Sequence, residues 1–284
     1  MDKKTNEELT VLIGQAIAGD KQSLETIILS VKDLVFNLSL RMLGTFADAE
    51  DATQDILLKI ITHLSSFQKN SLFTTWVFRI ATNHLKNYKK HMFAHYPFSF
   101  EYYGGDIESG QPLDLPDLTQ GVDQALLEEE LKMSCTNVML QCLDPESRCI
   151  FVLGTMFQVD SRIAGEILGL TPETYRQRLS RIRKKMAAFL SEYCGEYGCG
   201  VCKCRNRIQY AIHNHRINPL HLDYAVAEVI PKQTMAEVKG AMEDAENFAQ
   251  EFSFCKTYAT PETITEFIKD FLNSTALFTI KKYE

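Results

Sequence analysis

Residues 161–185 read SRIAGEILGLTPETYRQRLSRIRKK, and the fold is decided there. Ile163, Ala164, Ile167 and Leu168 recur at helical spacing and predict a short amphipathic helix. Gly169 permits a tight turn. Thr171-Pro172 then reads as a helix start, a hydroxyl cap followed by proline at the first helical position. In the second helix Tyr175, Leu179, Ile182 and Met186 face inward and Glu173, Arg176, Gln177, Ser180, Arg181 and Lys184 face outward. A second helix of this kind enters the DNA major groove. There arginine can pair with guanine, glutamine with adenine, and the cationic excess can neutralise phosphate. A solvated basic helix is the plainer alternative. The short helix, glycine turn, capped start and basic face together favour DNA.

The charge distribution agrees with that reading although the average does not. The chain of 284 residues has a formal net charge of −7. Yet six of the ten residues from Arg176 to Lys185 are Lys or Arg, whereas His91 to Leu131 contains neither and many acids. The local patch, not the average, is what meets phosphate. Hydrophobic residues make up 45% and charged residues 24%, an ordinary globular composition that allows two or three domains. The polar start from Met1 to Thr10 lacks the apolar run of a signal peptide, and no window suits a membrane span. A cytoplasmic protein with no membrane partner is expected.

Strand signals are weak and helical periodicity dominates. Leu24, Ile27, Ile28, Val31, Leu34, Val35 and Leu38 predict one helix, ended by Gly44. A second starts near Asp48, where Asp48, Glu50 and Asp51 suit the helix dipole. The third carries Phe73, Trp76, Val77, Ile80, Ala81, His84, Leu85 and Tyr88 on one face. From about Met92 to Asp123, Pro97, Pro112, Pro116 and Gly104-Gly105 among acids predict an extended acidic linker. Helical patterning resumes from Gln124 to Leu143, and Asp144-Pro145 opens another helix. Beyond Leu190 the chain is Cys-rich and then helical and acidic. No phosphate loop, nucleophile elbow or His-Glu-x-x-His helix is present, so an enzyme is not expected.

Several blocks resemble one family. The run Asp48-Ala49-Glu50-Asp51-Ala52-Thr53-Gln54-Asp55 resembles the acidic signature of region 2 of sigma-70 family factors. Phe73 to Asn83 resembles the block that follows it, Leu143 to Arg148 the opening of region 4, and Leu168 to Arg181 its helix-turn-helix. With only a linker between regions 2 and 4, the architecture resembles the extracytoplasmic-function (ECF) group. The resemblance implies an all-α fold: region 2 over 1–92, an acidic linker over 93–123, region 4 over 124–190, and a C-terminal extension over 191–284.

It also implies a function, promoter-specific initiation with RNA polymerase core. Asp48, Asp51, Gln54 and Asp55 would dock on the β′ clamp helices, and region 4 would meet the β flap. Phe67, Gln68, Asn70 and Ser71 would receive a flipped −10 base, whose unstacking costs a few kcal/mol. Arg79, Asn83, Lys86, Lys89 and Lys90 would line the phosphate path, and Thr171 with the six outward residues of the second helix would read −35 DNA. Trp76, mid-stripe, is expected in the core. A separate anti-sigma partner is compatible with the resemblance. The rival is a stand-alone helix-turn-helix regulator, which leaves the Asp48 block unexplained. Two positions depart from the family pattern: Gly165 in the first helix, which allows close helix approach, and Asn87 in place of an acid.

The extension holds Cys194, Cys199, Cys202 and Cys204. Four thiolates suffice for a tetrahedral zinc ion, and Arg205 and Arg207 would help keep them ionised. His213, His215 and Cys255 are alternates. A reversible thiol switch and four plain reduced cysteines are the other two readings.

Overall fold

The computed structural model describes residues 3–68, 71–88, 98–110, 117–230 and 256–274, with side chains from residue 8 onward. Eleven α-helices are described: α1 (Lys3–Ile17), α2 (Lys21–Leu43), α3 (Phe46–Thr62), α4 (Phe73–Lys86), α5 (Phe100–Ser109), α6 (Gln124–Gln141), α7 (Pro145–Phe151), α8 (Ser161–Leu168), α9 (Pro172–Tyr193), α10 (Cys204–His213) and α11 (Glu262–Asn273). Among the described residues there is no strand, only three isolated bridges. No described helix is long and apolar enough to cross a membrane. The chain is all-α, as the periodicity predicts.

Local chemistry fixes the helix ends. The Asp20 carboxylate accepts from Ser23 N at 2.8 Å to start α2. Gly44, at φ 94°, ends it by donating to Leu40 O. Thr45 accepts from Asp48 N and its hydroxyl donates to the Asp48 carboxylate at 2.7 Å. This cap starts α3 two residues before the expected position. Asp144 and Thr171 cap α7 and α9 in the same way, each followed by proline.

Two helices lie where the sequence reading has none. The polar first residues belong to α1, whose Leu9, Ile13 and Ala16 are buried against α2. Inside the expected extended linker sits α5. Ser99 caps it by accepting from Tyr102 N at 3.1 Å, and Phe100, Tyr103 and Ile107 recur at three and four and are buried. The acids of this stretch masked that apolar row. Pro97, Pro112 and Pro116 lie outside the described residues, as does Cys255.

One continuous buried cluster runs from Leu9 of α1 through Phe100 of α5 and Phe157 to Ile264, Ile268 and Leu272 of α11. The helices before residue 92, α5 inside the expected linker, helices α7 to α9 and the segment after residue 190 thus share a core. A smaller cluster, with Leu127, Leu131, Cys204, Ile208 and Ile217, joins α6 to α10. Arg148 is the buried cation at the centre. It donates to the carbonyls of Leu140, Gln141 and Leu143 and, through Nη1, to Met42 O of α2. Burial pulls its pKa down to about 10. Carbonyl oxygens left at helix ends are its partners in place of a carboxylate.

Candidate polymerase and nucleic-acid interfaces

Helices α8 and α9 form the expected pair. Asp160 caps α8 and Gly169, at φ 69°, ends it; Leu170 N donates to Gly165 O at 2.8 Å. A Cβ on Gly165 would stand 2.6 Å from Leu170 O. The unusual glycine therefore serves the turn: the backbone closes where a side chain would sit. Tyr175, Leu179, Ile182 and Met186 are buried, and the Tyr175 hydroxyl donates to Ile150 O at 3.0 Å. Thr171, Glu173, Arg176, Gln177, Ser180, Arg181 and Lys184 are all exposed on the opposite face.

The basic run is divided by use. Arg178 pairs with Glu146 at 2.7 Å. Arg183 donates to Thr155 Oγ1 and Gly154 O. Lys185 lies over the Phe100 ring, 4.6 Å from its centroid. Arg176 donates to Ser161 Oγ at 3.0 Å while staying exposed. Arg181 and Lys184 point outward without being drawn into the packing. Arg178 stays exposed despite its pairing, and Arg183 is the arginine of the run that is half-buried.

The stripe of α4 splits into two rows. Phe73, Val77, Ala81 and Leu85 are buried. Trp76, Ile80, His84 and Tyr88, also four apart, form one wall of a depression of about 690 Å³. Asp55, Lys59 and His63 of α3 form the other wall, with Asn83 at the edge. Lys59 Nζ contacts His84 Nδ1 at 2.6 Å across it. Trp76 is partly buried, packed against the core with one side on this depression, and it stacks on Phe73 at 5.6 Å and 25°. Phe67 takes the inner place, buried against Phe73 and Trp76, so its ring is packing and not an open stacking surface. Trp76 is packing, as its place in the stripe predicts, whereas Phe67, expected at an open stacking site, is core. The reason is that a loop residue next to a helix start can fill the core as well as a helical one.

Gln68 is exposed and Ser71 half-exposed. Asn70, Lys89 and Lys90 lie outside the described residues. Asn83 is exposed and Lys86 half-exposed. Arg79 is paired with Glu166 of α8 at 2.8 Å. On α3, Asp51 is exposed and Asp48, Gln54 and Asp55 are half-buried. Asp48 also caps its helix. Tyr88, just beyond α4, lines the depression with Asp55; its phenol is raised above its ordinary pKa, first by burial and then by the charges of Asp51, Asp55 and Asp48.

The four cysteines of the extension are not gathered at one point. Cys194 and Cys202 are bridge partners, joined by Gly195 N to Cys202 O and Cys202 N to Tyr193 O. Cys199 is exposed and Cys204 is buried in the α6–α10 cluster. Among the described residues no three donors stand close enough to hold a metal ion, and His213 and His215 join none. A cavity of about 480 Å³ instead brings Cys202 and Cys204 together with Cys135 of α6, a residue not singled out by the sequence. The Tyr103 hydroxyl contacts Cys135 Sγ at 3.0 Å. Burial pushes the Cys135 thiol up to about 11 and the Cys204 thiol to about 12. The Arg207 charge acts to lower the Cys135 thiol, but burial outweighs it; the Arg207 guanidinium also engages Asp106 and Ile107 O, and Arg205 reaches Gln124.

Comparison with known proteins completes the description. Residues 27–91 match the sigma-70 region 2 family. The ECF RNA polymerase sigma factor SigW of Bacillus subtilis is 28% identical over 176 residues, covering 61% of this chain and 92% of that protein. The ECF RNA polymerase sigma-E factor of Escherichia coli is 33% identical over 85 residues, 29% of this chain and 44% of that factor. A solved structure of CnrH in complex with the cytosolic domain of CnrY covers 63% of this chain and 95% of its own, at 20% identity and a TM-score of 0.46. Residues 27–91, from α2 through α4, thus carry a sigma-70 region 2 domain, and the chain is similar to an extracytoplasmic-function sigma factor across most of that factor's length.

Proposed function

We propose that this sigma factor acts in the cytoplasm, docks on polymerase core through the acidic face of α3, and reads a promoter in two places. Asp48, Asp51, Gln54 and Asp55 contact the β′ clamp helices. Gln68, Asn70 and Ser71 take the −10 base, with Arg79, Asn83, Lys86, Lys89 and Lys90 along the strand. Helix α9 enters the major groove at −35 through Thr171, Glu173, Arg176, Gln177, Ser180, Arg181 and Lys184, and region 4 meets the β flap. The observation that carries this reading is the amphipathic division of α9: four apolar residues are buried and all seven named polar ones are exposed. The test is transcription by purified chain and core enzyme on a library of promoter fragments. Initiation at a defined pair of elements supports the reading; a folded chain that directs no initiation contradicts it and leaves the stand-alone regulator.

The extension is the regulatory part in this reading, and its thiols are the candidate input. Support comes from Cys135, Cys202 and Cys204 facing one cavity between α6 and the extension. Zinc or another thiophilic ion would need movement of these groups and loss of their protons. Metal content of the purified chain and the effect of chelation on initiation test this role. A separate anti-sigma protein would compete with the extension for the same faces.

A further inference from the structure

The extension is tied to every other part of the chain by polar contacts, several of them buried. On region 2, Asn37 of α2 donates to Tyr258 O at 2.7 Å and accepts from Tyr258 N at 2.9 Å. Asp33 accepts from Thr260 N at 2.9 Å, and Arg41 donates to Lys256 O at 2.6 Å. Phe46, the first residue of α3, packs edge-on against both Tyr224 and Tyr258. The Thr263 hydroxyl of α11 donates to Glu50 of α3 at 3.1 Å. On the linker, Asp106 accepts from Arg207 at 2.6 Å and from Tyr210 at 2.9 Å, and pairs with Arg216. On region 4, the Glu130 carboxylate of α6 accepts from three successive amides, Asp223, Tyr224 and Ala225. The Tyr224 hydroxyl closes the circuit by donating to Gly44 O and accepting from Asn137.

Regions 2 and 4 are meanwhile pressed together. Phe78 of α4 meets Phe157 edge-on at 5.7 Å, and Arg79 is paired with Glu166. A compact chain of this length has a radius of gyration of about 19 Å. Elements named −10 and −35 are about 25 base pairs apart, roughly 85 Å at 3.4 Å per step. The two regions cannot occupy both elements in this arrangement.

We propose that the C-terminal extension is a built-in clasp that holds regions 2 and 4 in this closed pairing and competes with polymerase core for the chain. The proposal rests on the sigma-factor reading. Helix α11 leans on the same helix, α3, whose Gln54 lies one turn beyond Glu50 and belongs to the docking set. Core binding therefore favours release of the clasp, and the clasp weakens core binding by the fraction of molecules held closed.

The test uses the full chain and polymerase core. Asp33→Ala with Arg216→Ala removes one tie at each end of the extension, at one half-buried and one exposed position. The double variant is expected to bind core about tenfold more tightly and to show a larger radius of gyration by X-ray scattering. A folded double variant with unchanged core affinity and size overturns the clasp. A lock gives the converse: Glu50→Cys and Thr263→Cys, in a Cys199→Ser background, joined by a short reducible cross-linker. The locked chain is expected to lose initiation and regain it on reduction; undiminished initiation while locked overturns the proposal. If the unmodified chain neither binds core nor initiates, the sigma reading itself fails, which is a different result.

Discussion

Arg79 of α4 and Glu166 of α8 are joined at 2.8 Å, so a cation expected to follow promoter DNA is held by the helix that precedes α9. The side chains are 39% and 48% exposed. A pair this open contributes under about 1 kcal/mol to stability. Glu166→Ala should therefore leave the melting temperature almost unchanged. It should tighten promoter-DNA binding and steepen the salt dependence by about one phosphate contact, since Arg79 is released. A salt titration of fluorescent promoter DNA checks both slope and affinity.

Gly165→Ala should damage the turn. The added Cβ meets a backbone oxygen at 2.6 Å, and backbone does not yield as a flexible side chain does. Overpacking of this kind costs about 1–3 kcal/mol. The expected outcome is a lower denaturation midpoint and loss of binding at −35. Gly14, with open space where its Cβ would stand, is the control: alanine there should stabilise α1 by up to about 1 kcal/mol.

On α9 the exposed residues should sort by chemistry. Lys184→Ala should weaken binding equally across sequences and lower the salt slope by about one, as a phosphate contact does. Gln177→Ala should cost about 1–3 kcal/mol at one promoter position and relax the preference there, as a base contact does. Binding to a set of single-base promoter variants separates the two.

Acid should loosen the hold on the linker. Burial alone would raise the Asp106 carboxyl, but hydrogen bonds from Arg216 and Tyr210 and the charges of Arg216 and Arg207 outweigh it and keep it below the ordinary 3.8. A depressed carboxylate contributes stability that is full above its unfolded pKa and is lost as pH falls through the folded value. Asp106→Asn should lower the melting temperature at neutral pH by roughly 5 °C, the scale of one charge-assisted hydrogen bond in a chain of this size. The gap to the parent should narrow as pH drops below about 3.8. Melting curves from pH 7 to pH 2.5 show whether it does.

The fold was legible where one face alone decides a helix. The α8–α9 pair, the cap at Thr171 and the stop at Gly44 follow from spacing and capping chemistry. The α5 helix was hidden because acids and glycines surround its Phe100, Tyr103 and Ile107 row. The exposed face of α9 was read correctly, but which arginines of the run are structural depends on Glu146 and Thr155, distant in sequence. Phe67 was misplaced for a similar reason: three-dimensional packing draws this loop residue into the core beside Phe73 and Trp76. The cysteine spacing suggested a single cluster. Cys135, remote in sequence, is the thiol the fold brings to Cys202 and Cys204.

The most direct measurement is equilibrium binding of the chain to polymerase core, for the parent and for Asp51→Lys with Asp55→Lys. Neither substitution touches the Asp48 cap. The account predicts specific binding by the parent and at least about tenfold weaker binding by the charge-reversed variant, with helix content unchanged. Absence of binding by the folded parent, or equal binding by both, would contradict it.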